Sequence, residues 1–329
     1  PFNVDKVNAE SAQSAGRLPF GLPSVNAKKE FGNANYLWIS YFYSYLNEHG
    51  RAGFVMASSA TDSSGKDRDI RQKLVETGHV DVMVSVGNNF FYTKSLPCSL
   101  WFFDKGKPQE LQDKVLFIDA RNYYTVVDRT LNEWSDWQLK NLNAIVWLYR
   151  GETEKYIKLL DNYRRYLLHC AVKLKADDVC HVITPTATFT DILSAFESFE
   201  SAQKERAKFD MEHVLRKDKK ARQKFWDEKL TAITEAITAA KDAVWLYEKF
   251  GEGEYRDVPG LCKVASRAEI AEKAYSLTPG AYVGVAAAED DGVDFAQRMA
   301  EIHEELLDLQ AESNELMQTI SRNMKEMGL

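Results

Sequence analysis

The sequence predicts an α/β protein in which a partial, doubly wound sheet is followed by a region of long, coiled-coil-like helices. Two observations carry this prediction. Between residues 33 and 122, short apolar runs alternate with amphipathic segments, which is typical of strands and helices that succeed each other in such a sheet. From residue 132 onward, apolar residues recur at helical spacing with few glycines or prolines.

Four apolar runs fit buried strands because they are short and are bounded by glycine or polar residues. They cover residues 52–57, 80–86, 98–103 and 115–119. Two amphipathic segments, 33–47 and 66–77, fit helices that end near Gly50 and Gly78. If neighbouring strands are missing on one side, we expect an exposed apolar edge strand that favours self-association.

Beyond residue 132, the apolar periodicity predicts helices over 134–149 and 153–176, and one or two long helices over 189–250. A loop is expected at 251–260. The residues Ser266 to Glu269 match a capping box that opens a short helix.

The last segment carries a regular heptad, which predicts a helix of about 50 Å that packs against a partner helix. Polar Ser313 and Asn323 lie in the same register. Two partners are open at this point: the 189–250 stretch of the same chain, or helices of another chain. The apolar heptad positions are Phe295, Met299, Ile302, Leu306, Leu309, Leu316, Ile320 and Met327.

The composition excludes several classes of protein. No apolar run approaches the roughly 18 residues of a membrane span, and the first residues lack a signal-peptide pattern. The four cysteines include no CxxC pair and the histidines no HExxH, so we expect neither a metal site nor disulfides, and a cytoplasmic location. A net charge of −7 excludes a uniformly basic nucleic-acid-binding surface.

The charge is unevenly distributed along the chain. Residues 204–229 contain ten Lys or Arg and six Asp or Glu, whereas residues 289–329 contain three and eleven. Both stretches are consistent with solvated helix faces. Alternatively, the basic stretch contacts phosphates and the acidic stretch contacts a protein.

Common catalytic signatures are absent: there is no P-loop, no GxGxxG after a strand and no GxSxG. Arg121 and Asp128 are candidate catalytic residues, although a surface ion pair is the favoured interpretation. The residues alone therefore predict only an α/β region followed by long helices.

Four blocks, in order, resemble the methylation (M) subunit of type I restriction-modification systems. They are residues 32–39 with 50–55 (GNANYLWI and GRAGFV), 91–102 (FYTKSLPCSLWF), 116–122 (LFIDARN) and 275–284 (YSLTPGAYVG). The resemblance covers residues 1 to about 133 and 265–329. It implies that 1–133 is the C-terminal half of a Rossmann-like, S-adenosylmethionine-dependent methyltransferase domain, that 134–264 is a mainly helical region of unknown role, and that 265–329 serves subunit assembly.

The resemblance implies transfer of a methyl group from S-adenosylmethionine to the exocyclic amine of adenine in DNA. Pro1 and Phe2 look like the second half of the family's Asn-Pro-Pro-Phe/Tyr motif, in which the aromatic residue stacks on a flipped adenine. The family's cofactor loop precedes this motif. We therefore expect the chain to be a C-terminal part of an enzyme that binds no cofactor and is inactive by itself.

The partners implied are DNA and the specificity and restriction subunits of the same system. Tyr92 lies in the block that closes the adenine pocket, with a core aromatic as the more frequent alternative. The DNA-backbone candidates are Arg216, Lys217, Lys219, Lys220 and Arg222. The candidates for contact with the specificity subunit are Phe295, Met299, Ile302, Leu306, Leu309, Leu316 and Ile320.

Two other functions remain open. The chain is a helical interaction scaffold if its α/β part is a degenerate platform for the long helices. It is an unrelated α/β enzyme with a helical lid if the sheet is complete and has a ligand crevice at a switch point.

Overall fold

The computed structural model describes residues 3–92 and 94–285, together with separate positions between 299 and 324. The chain divides into two units, residues 1–286 and residues 287–329. All described strands lie in the first unit. They are β1 (Val7–Asn8), β2 (Glu30–Phe31), β3 (Arg51–Ala57), β4 (Val80–Val86), β5 (Cys98–Asp104), β6 (Lys114–Asp119), β7 (Thr125–Val126), β8 (Asn132–Glu133) and β9 (Cys262–Ser266).

The helices of the first unit fall into a group before residue 80 and a larger group after residue 135. They are α1 (Ala9–Ser14), α2 (Asn35–Ser44), α3 (Lys66–Glu76), α4 (Asp136–Tyr149), α5 (Thr153–Leu174), α6 (Asp177–Val182), α7 (Phe189–His213), α8 (Lys219–Phe250) and α9 (Arg267–Glu272). Short 3₁₀ turns occupy Ser58–Thr61, Gln109–Leu111 and Pro279–Ala281. In the second unit, every described position is helical.

Five strands form the main sheet in the order β3-β5-β4-β6-β9. β3, β4 and β6 run in one direction and β5 and β9 in the other, so that β4 and β6 are the one parallel pair among the described strands. This mixed sheet with its helices confirms the predicted α/β class. It is less regular than a doubly wound sheet because β4 and β5 are joined by the short segment 87–97, which is too short for a helical crossover.

The apolar sequence of β4 places it at the centre of the sheet. All seven of its residues are buried, as expected for a strand that is covered on both faces. Val82 and Val84 join the core beneath the long helices, whereas Val80 and Met83 join the core beneath α2 and α3. The sheet therefore has an apolar core on each side.

β3 is one of the two edge strands of the main sheet, and β9 is the other. β3 pairs with β5 and, within the described residues, with no other strand, whereas β4 lies between β5 and β6. Val55 of β3 is 40% exposed, and Phe54 is covered by the rings of Phe42 and Trp101. Residues 51–57 therefore form an exposed edge of the sheet, whereas the more apolar residues 80–86 lie inside it.

The strand β9 was not predicted from the sequence. It pairs antiparallel with β6 in a register that sets Lys114 opposite Ser266 and Ile118 opposite Cys262. Its five residues contain Lys263 and two small side chains, which gives a weak strand pattern. The pairing returns the chain to the sheet after the helical region.

The long helical stretch consists of two helices, α7 and α8, that form an antiparallel hairpin. The Gln203 side chain accepts a hydrogen bond from Lys229 at 2.9 Å, and Trp226 donates to Asp210 at 2.7 Å. α8 also packs on α4 and α5. α8 therefore packs into the apolar core on one side of the sheet, where its residues Ile233 and Leu246 are fully buried.

A buried polar network ties the segment after β6 to the helices. The Tyr123 hydroxyl accepts a hydrogen bond from Asn141 Nδ2 at 2.8 Å and donates to Asp242 Oδ1 at 3.3 Å, while its ring stacks on Trp245 at 4.1 Å. Asn141 also accepts from the Tyr163 hydroxyl at 2.9 Å. Asp242 Oδ2 is buried and has no hydrogen-bond partner among the described residues. Burial raises the pKa of Asp242 to about 6, and the bond from Tyr123 opposes this only in part.

The raised pKa of Asp242 predicts a stability change with a definite sign. The folded state binds the proton more tightly than the unfolded state, so ionisation at neutral pH costs folding free energy, at most about 3 kcal/mol for this shift. We expect Asp242→Asn to raise the unfolding free energy at pH 7.5 by about 1–3 kcal/mol, and this gain to shrink as the pH falls toward 5. Denaturant unfolding at several pH values measures it.

Asp227→Asn is the control, because Asp227 is an exposed carboxylate on the same helix. A loss of stability in Asp242→Asn, or a gain that does not change with pH, contradicts the prediction.

Candidate functional site

The carboxyl ends of β3, β4 and β6 meet at one edge of the sheet, and the segments that follow them form the candidate site. Three of the four sequence blocks contribute to this edge: the loop after β4, the segment after β6 and the turn Pro279–Ala281. These blocks are far apart in sequence. We call this region the carboxyl-edge site.

An ion pair lies at the centre of the carboxyl-edge site. Arg121 Nε donates to Asp119 Oδ1 at 2.8 Å and Nη2 donates to Oδ2 at 2.6 Å, a bidentate arrangement. The Asp119 side chain is 10% exposed and that of Arg121 is 55% exposed. The hydrogen bond to Asp119 is the main cause that raises the pKa of Arg121. The pair thus presents a fixed, partly exposed cation at the end of β6.

The ion-pair expectation for Arg121 holds, but its partner is Asp119 and not Asp128. Asp128 instead accepts two hydrogen bonds from Thr130, at 2.7 Å from the backbone N–H and 2.9 Å from the hydroxyl. These bonds lower the pKa of Asp128. Asp128 therefore stabilises its own turn.

Two glycines allow other segments to approach Arg121. A Cβ atom at Gly87, directly after β4, would lie 2.7 Å from the Arg121 carbonyl oxygen. A Cβ atom at Gly280 would lie 2.9 Å from Arg121 Nη2 and 3.4 Å from Asp119 Oδ2. A side chain at Gly87 would collide with the backbone, and one at Gly280 would displace the Arg121 guanidinium, so the fourth block lies directly against the ion pair.

The fourth block is also hydrogen-bonded to the segment after β3. Leu277 N–H donates to the Thr61 carbonyl at 2.8 Å, and the two hydroxyls of Thr61 and Thr278 are 2.7 Å apart. Because the Thr61 hydroxyl donates to the Ser58 carbonyl at 2.7 Å, Thr278 is the donor to Thr61. The ends of β3 and β6 are thereby bridged by one segment.

Arg71 joins segments that support the carboxyl-edge site. Its guanidinium is buried and donates to the Tyr275 carbonyl, to the Tyr36 hydroxyl at 2.9 Å and to the Ser63 carbonyl at 2.9 Å. No carboxylate lies within 4.0 Å of it in the described part of the chain. A buried cation with neutral acceptors fixes three segments at once, and no sequence pattern pointed to this residue.

The loop after β4 carries Tyr92. Asn132 anchors the loop by donating to the carbonyls of Asn89 at 2.7 Å and Asn88 at 3.0 Å. Phe90 packs against Trp134 and Tyr124, whereas Tyr92 is 93% exposed. The core-aromatic alternative for Tyr92 is therefore wrong, and the half-buried Phe90 is the residue of this loop that packs against other aromatic rings. The assignment of Tyr92 to an adenine pocket stays a prediction.

Pro1 and Phe2 lie outside the described residues. Asn3, the first described residue, exchanges two hydrogen bonds with Asn35: its N–H donates to Asn35 Oδ1 at 2.9 Å and its Oδ1 accepts from Asn35 Nδ2 at 2.7 Å. Asn3 is thus held at the start of α2.

The basic candidates lie together on the turn between α7 and α8 and on the first turn of α8. All five are exposed, and Arg222 forms an ion pair with Asp210 at 3.2 Å. They are Arg216, Lys217, Lys219, Lys220 and Arg222. This is a surface of the helical hairpin and not part of the carboxyl-edge site.

The heptad candidates fall in the second unit. Phe295 lies outside the described residues. The others, at described helical positions, are exposed by 37% to 59%. They are Met299, Ile302, Leu306, Leu309, Leu316 and Ile320. An exposed apolar register is what an unpartnered coiled-coil seam presents.

The described residues do not supply an evident site for S-adenosylmethionine. Gly87 and Gly280 follow or face strand ends, but the space beside each is filled by Arg121 atoms, so neither forms an open cradle. Cavities lie elsewhere in the described part of the chain. One of about 260 Å³ is apolar and lies between the sheet and α4, and one of about 580 Å³ lies between α4, α5 and α8.

The described residues contain no cluster of three or more His, Cys, Asp or Glu side chains that would hold a metal ion. None of the helices in this part of the chain has the length and apolarity to cross a membrane.

The chain is similar to known DNA methylases. Residues 1–162 match the family model described as N-6 DNA Methylase. The type I restriction enzyme MjaIX methylase subunit of Methanocaldococcus jannaschii is 28% identical over 329 residues, which is 100% of this chain and 41% of that protein. The type I restriction enzyme HindI methylase subunit of Haemophilus influenzae is 23% identical over 99% of this chain and 50% of its own length.

These similarities include residues 134–264, for which the sequence had suggested no relative. The chain spans about half the length, or less, of these curated relatives. A type I restriction-modification methyltransferase subunit from Streptococcus thermophilus aligns with 85% of this chain and 36% of its own, at 15% identity and a TM-score of 0.43. By these sequence matches, the chain is similar to N-6 DNA methylases and, among them, to the methylation subunits of type I restriction-modification systems.

Proposed function

We propose that this chain is part of a subunit that transfers a methyl group from S-adenosylmethionine to the exocyclic amine of adenine in DNA, within a type I restriction-modification system. The observation that carries the proposal is the contact of the fourth block, at Gly280, with the ion pair of Asp119 and Arg121 in the third block, beside the loop that follows β4. Ligands of open α/β sheets bind outside the carboxyl ends of the strands. The carboxyl-edge site is the corresponding surface here.

The site's exposed groups suit a flipped nucleotide. An adenine within a duplex is out of reach of an enzyme and has to be rotated out of the stack. Tyr92 offers an exposed ring on which a base stacks, and Arg121 offers a fixed cation for a phosphate. Pro1 and Phe2 belong to the adenine-binding motif in this proposal.

S-adenosylmethionine is the methyl donor of the complete protein in this proposal. The family resemblance implies a cofactor loop that precedes the motif containing Pro1 and Phe2, so we assign the binding of S-adenosylmethionine to residues of the complete protein beyond this chain. The chain by itself is then inactive, and the complete gene product is the enzyme.

The proposal is tested with the complete gene product, purified with its specificity subunit and incubated with duplex DNA and S-adenosylmethionine labelled in the methyl group. We expect N6-methyladenine in the digested DNA by mass spectrometry. In isothermal titration, the 329-residue chain is expected to show no binding of the cofactor, and the complete product to bind it. Label on cytosine, or no label on DNA, contradicts the proposal.

Substitution of Tyr92 by Ala in the complete product is expected to lower kcat/KM for DNA by about tenfold or more, since one lost base stack is worth roughly 1–3 kcal/mol. The matched control is Tyr45→Ala, because Tyr45 is also exposed, at 63%, but lies beside the opposite edge of the sheet. Thermal unfolding of both variants should resemble that of the unsubstituted protein. Equal activity of the two variants contradicts the role of Tyr92.

A second function, assembly through the C-terminal helix, is favoured by the exposed heptad residues. We propose that these residues pair with long helices of the specificity subunit, and that the restriction subunit joins the same assembly. The interaction-scaffold alternative keeps this part of the proposal without the methyl transfer. Self-association of the chain through its edge strand stays a further prediction.

Leu306→Asp with Leu309→Asp is expected to abolish co-purification with the specificity subunit, because a charge in an apolar seam is not solvated. Leu307→Asp with Met317→Asp is the control: these residues are exposed to a similar extent but lie outside the heptad register. The proposed heptad interface is refuted if both double variants lose co-purification with the specificity subunit, or if both keep it.

A further inference from the structure

The free end of the α7–α8 hairpin is a compact basic surface, which we call the basic tip and define as residues 214–222. It contains five cationic side chains and one carboxylate, Asp218. Since the whole chain carries a net charge of −7, the tip is a local reversal of the overall potential. Such a reversal orients the molecule toward a polyanion.

The basic tip projects away from the core on a fixed stem. Ile233 is fully buried in the core beneath the sheet, and Lys219 lies 14 residues before it on α8, which is about 21 Å of helix. Nearer the tip, Asp210 accepts a hydrogen bond from Trp226 Nε1 at 2.7 Å and forms an ion pair with Arg222 Nε at 3.2 Å. These two contacts lock the two helices together just below the turn.

Four of the five cations are free to bind a ligand. Arg222 is engaged with Asp210, and neighbouring Lys204 and Lys224 pair with Glu200 and Glu228. Within the described residues, no carboxylate lies within 4.0 Å of the remaining four, which are all exposed. They are Arg216, Lys217, Lys219 and Lys220.

The N-terminus of α8 adds to the positive electrostatic potential of the basic tip. Asp218 is the residue before the helix, but its side chain does not cap it. The first N–H groups of a 32-residue helix therefore keep the positive end of the helix dipole beside Lys219 and Lys220. The helix end and the free cations together favour phosphate groups.

We infer that the basic tip binds the phosphate backbone of duplex DNA without reading its sequence, away from the carboxyl-edge site. This rests on the proposed function only in taking DNA as the polyanion. Duplex DNA presents one negative charge per roughly 1.7 Å of axis, which matches several cations on one small surface. Arg222 is a positioning residue in this interface and not a contact, which refines the sequence-based set of five.

An acidic protein surface is the competing ligand. Phe209, Leu215 and Phe225 are exposed near the tip, and a protein partner would bury such residues. Phosphate binding depends on the four cations and leaves the three apolar side chains without a role.

The inference is tested by the affinity of the 329-residue chain for a labelled 30-base-pair duplex, measured by fluorescence anisotropy at several KCl concentrations without S-adenosylmethionine. Replacement of the four free cations by Gln is expected to reduce the slope of log K against log [KCl] by about 3–4 and to weaken binding at least tenfold near 0.1 M salt. Leu215→Ser with Phe209→Ser is expected to change neither quantity.

The control carries the same loss of charge elsewhere. It replaces four exposed cations of α5, Lys155, Lys158, Arg165 and Lys173, by Gln, and should keep a slope close to that of the unsubstituted chain. Circular dichroism checks that each variant is folded.

An unchanged slope in the tip variant, an equal loss in the α5 control, or no binding of DNA by the chain overturns the inference. Loss of DNA binding only in the apolar variant also overturns it, because the four cations would then not supply the affinity. Because no methyl transfer is measured, failure of the proposed reaction leaves this outcome unaffected.

Discussion

The pairing of β9 with β6 is the constraint on which the carboxyl-edge site depends. It returns the chain to the sheet after the whole helical region, and the entropy of closing so long a loop has to be offset by this contact and by the core that the helices share with the sheet. From β9 the chain passes through α9 to Leu277 and Gly280. Those residues then reach Thr61 and the ion pair of Asp119 and Arg121.

The polar groups of the molecule have two roles. Some are buried and hold segments in position, and others are exposed at the carboxyl-edge site. The guanidinium of Arg71 and the Tyr123–Asn141–Asp242 network are buried, and each joins segments distant in sequence. Arg121 and Tyr92 are exposed at the edge that the buried groups hold in place. Groups that contact a ligand in our proposal are thus supported by groups that do not.

The sequence predicted the elements with strong local signals. The uniform apolar run of β4, the periodicity of α5 and the capping box at Ser266 agree with the structure within a few residues. The family blocks also indicated which segments matter. The class of fold and four of the five strands of the main sheet followed from these signals.

The sequence did not reveal features that arise only from tertiary contacts. β9 has a weak pattern and exists because β6 offers it an edge. Arg71 carries no motif, and the partner of Arg121 is two residues away and not seven. Likewise, the exposure of Tyr92 and the partial burial of Phe90 cannot be told apart from the sequence, since both are aromatic residues of one short loop.

The most direct measurement of the central claim, that distant blocks are joined at the carboxyl edge, is a double-mutant cycle on Thr61 and Thr278. Denaturant unfolding of the chain carrying Thr61→Val, Thr278→Val and both substitutions gives the coupling between the two hydroxyls. The account predicts a coupling of about 0.5–1.5 kcal/mol, as for a hydrogen bond between neighbouring side chains. Strict additivity, with a coupling below about 0.3 kcal/mol, contradicts it.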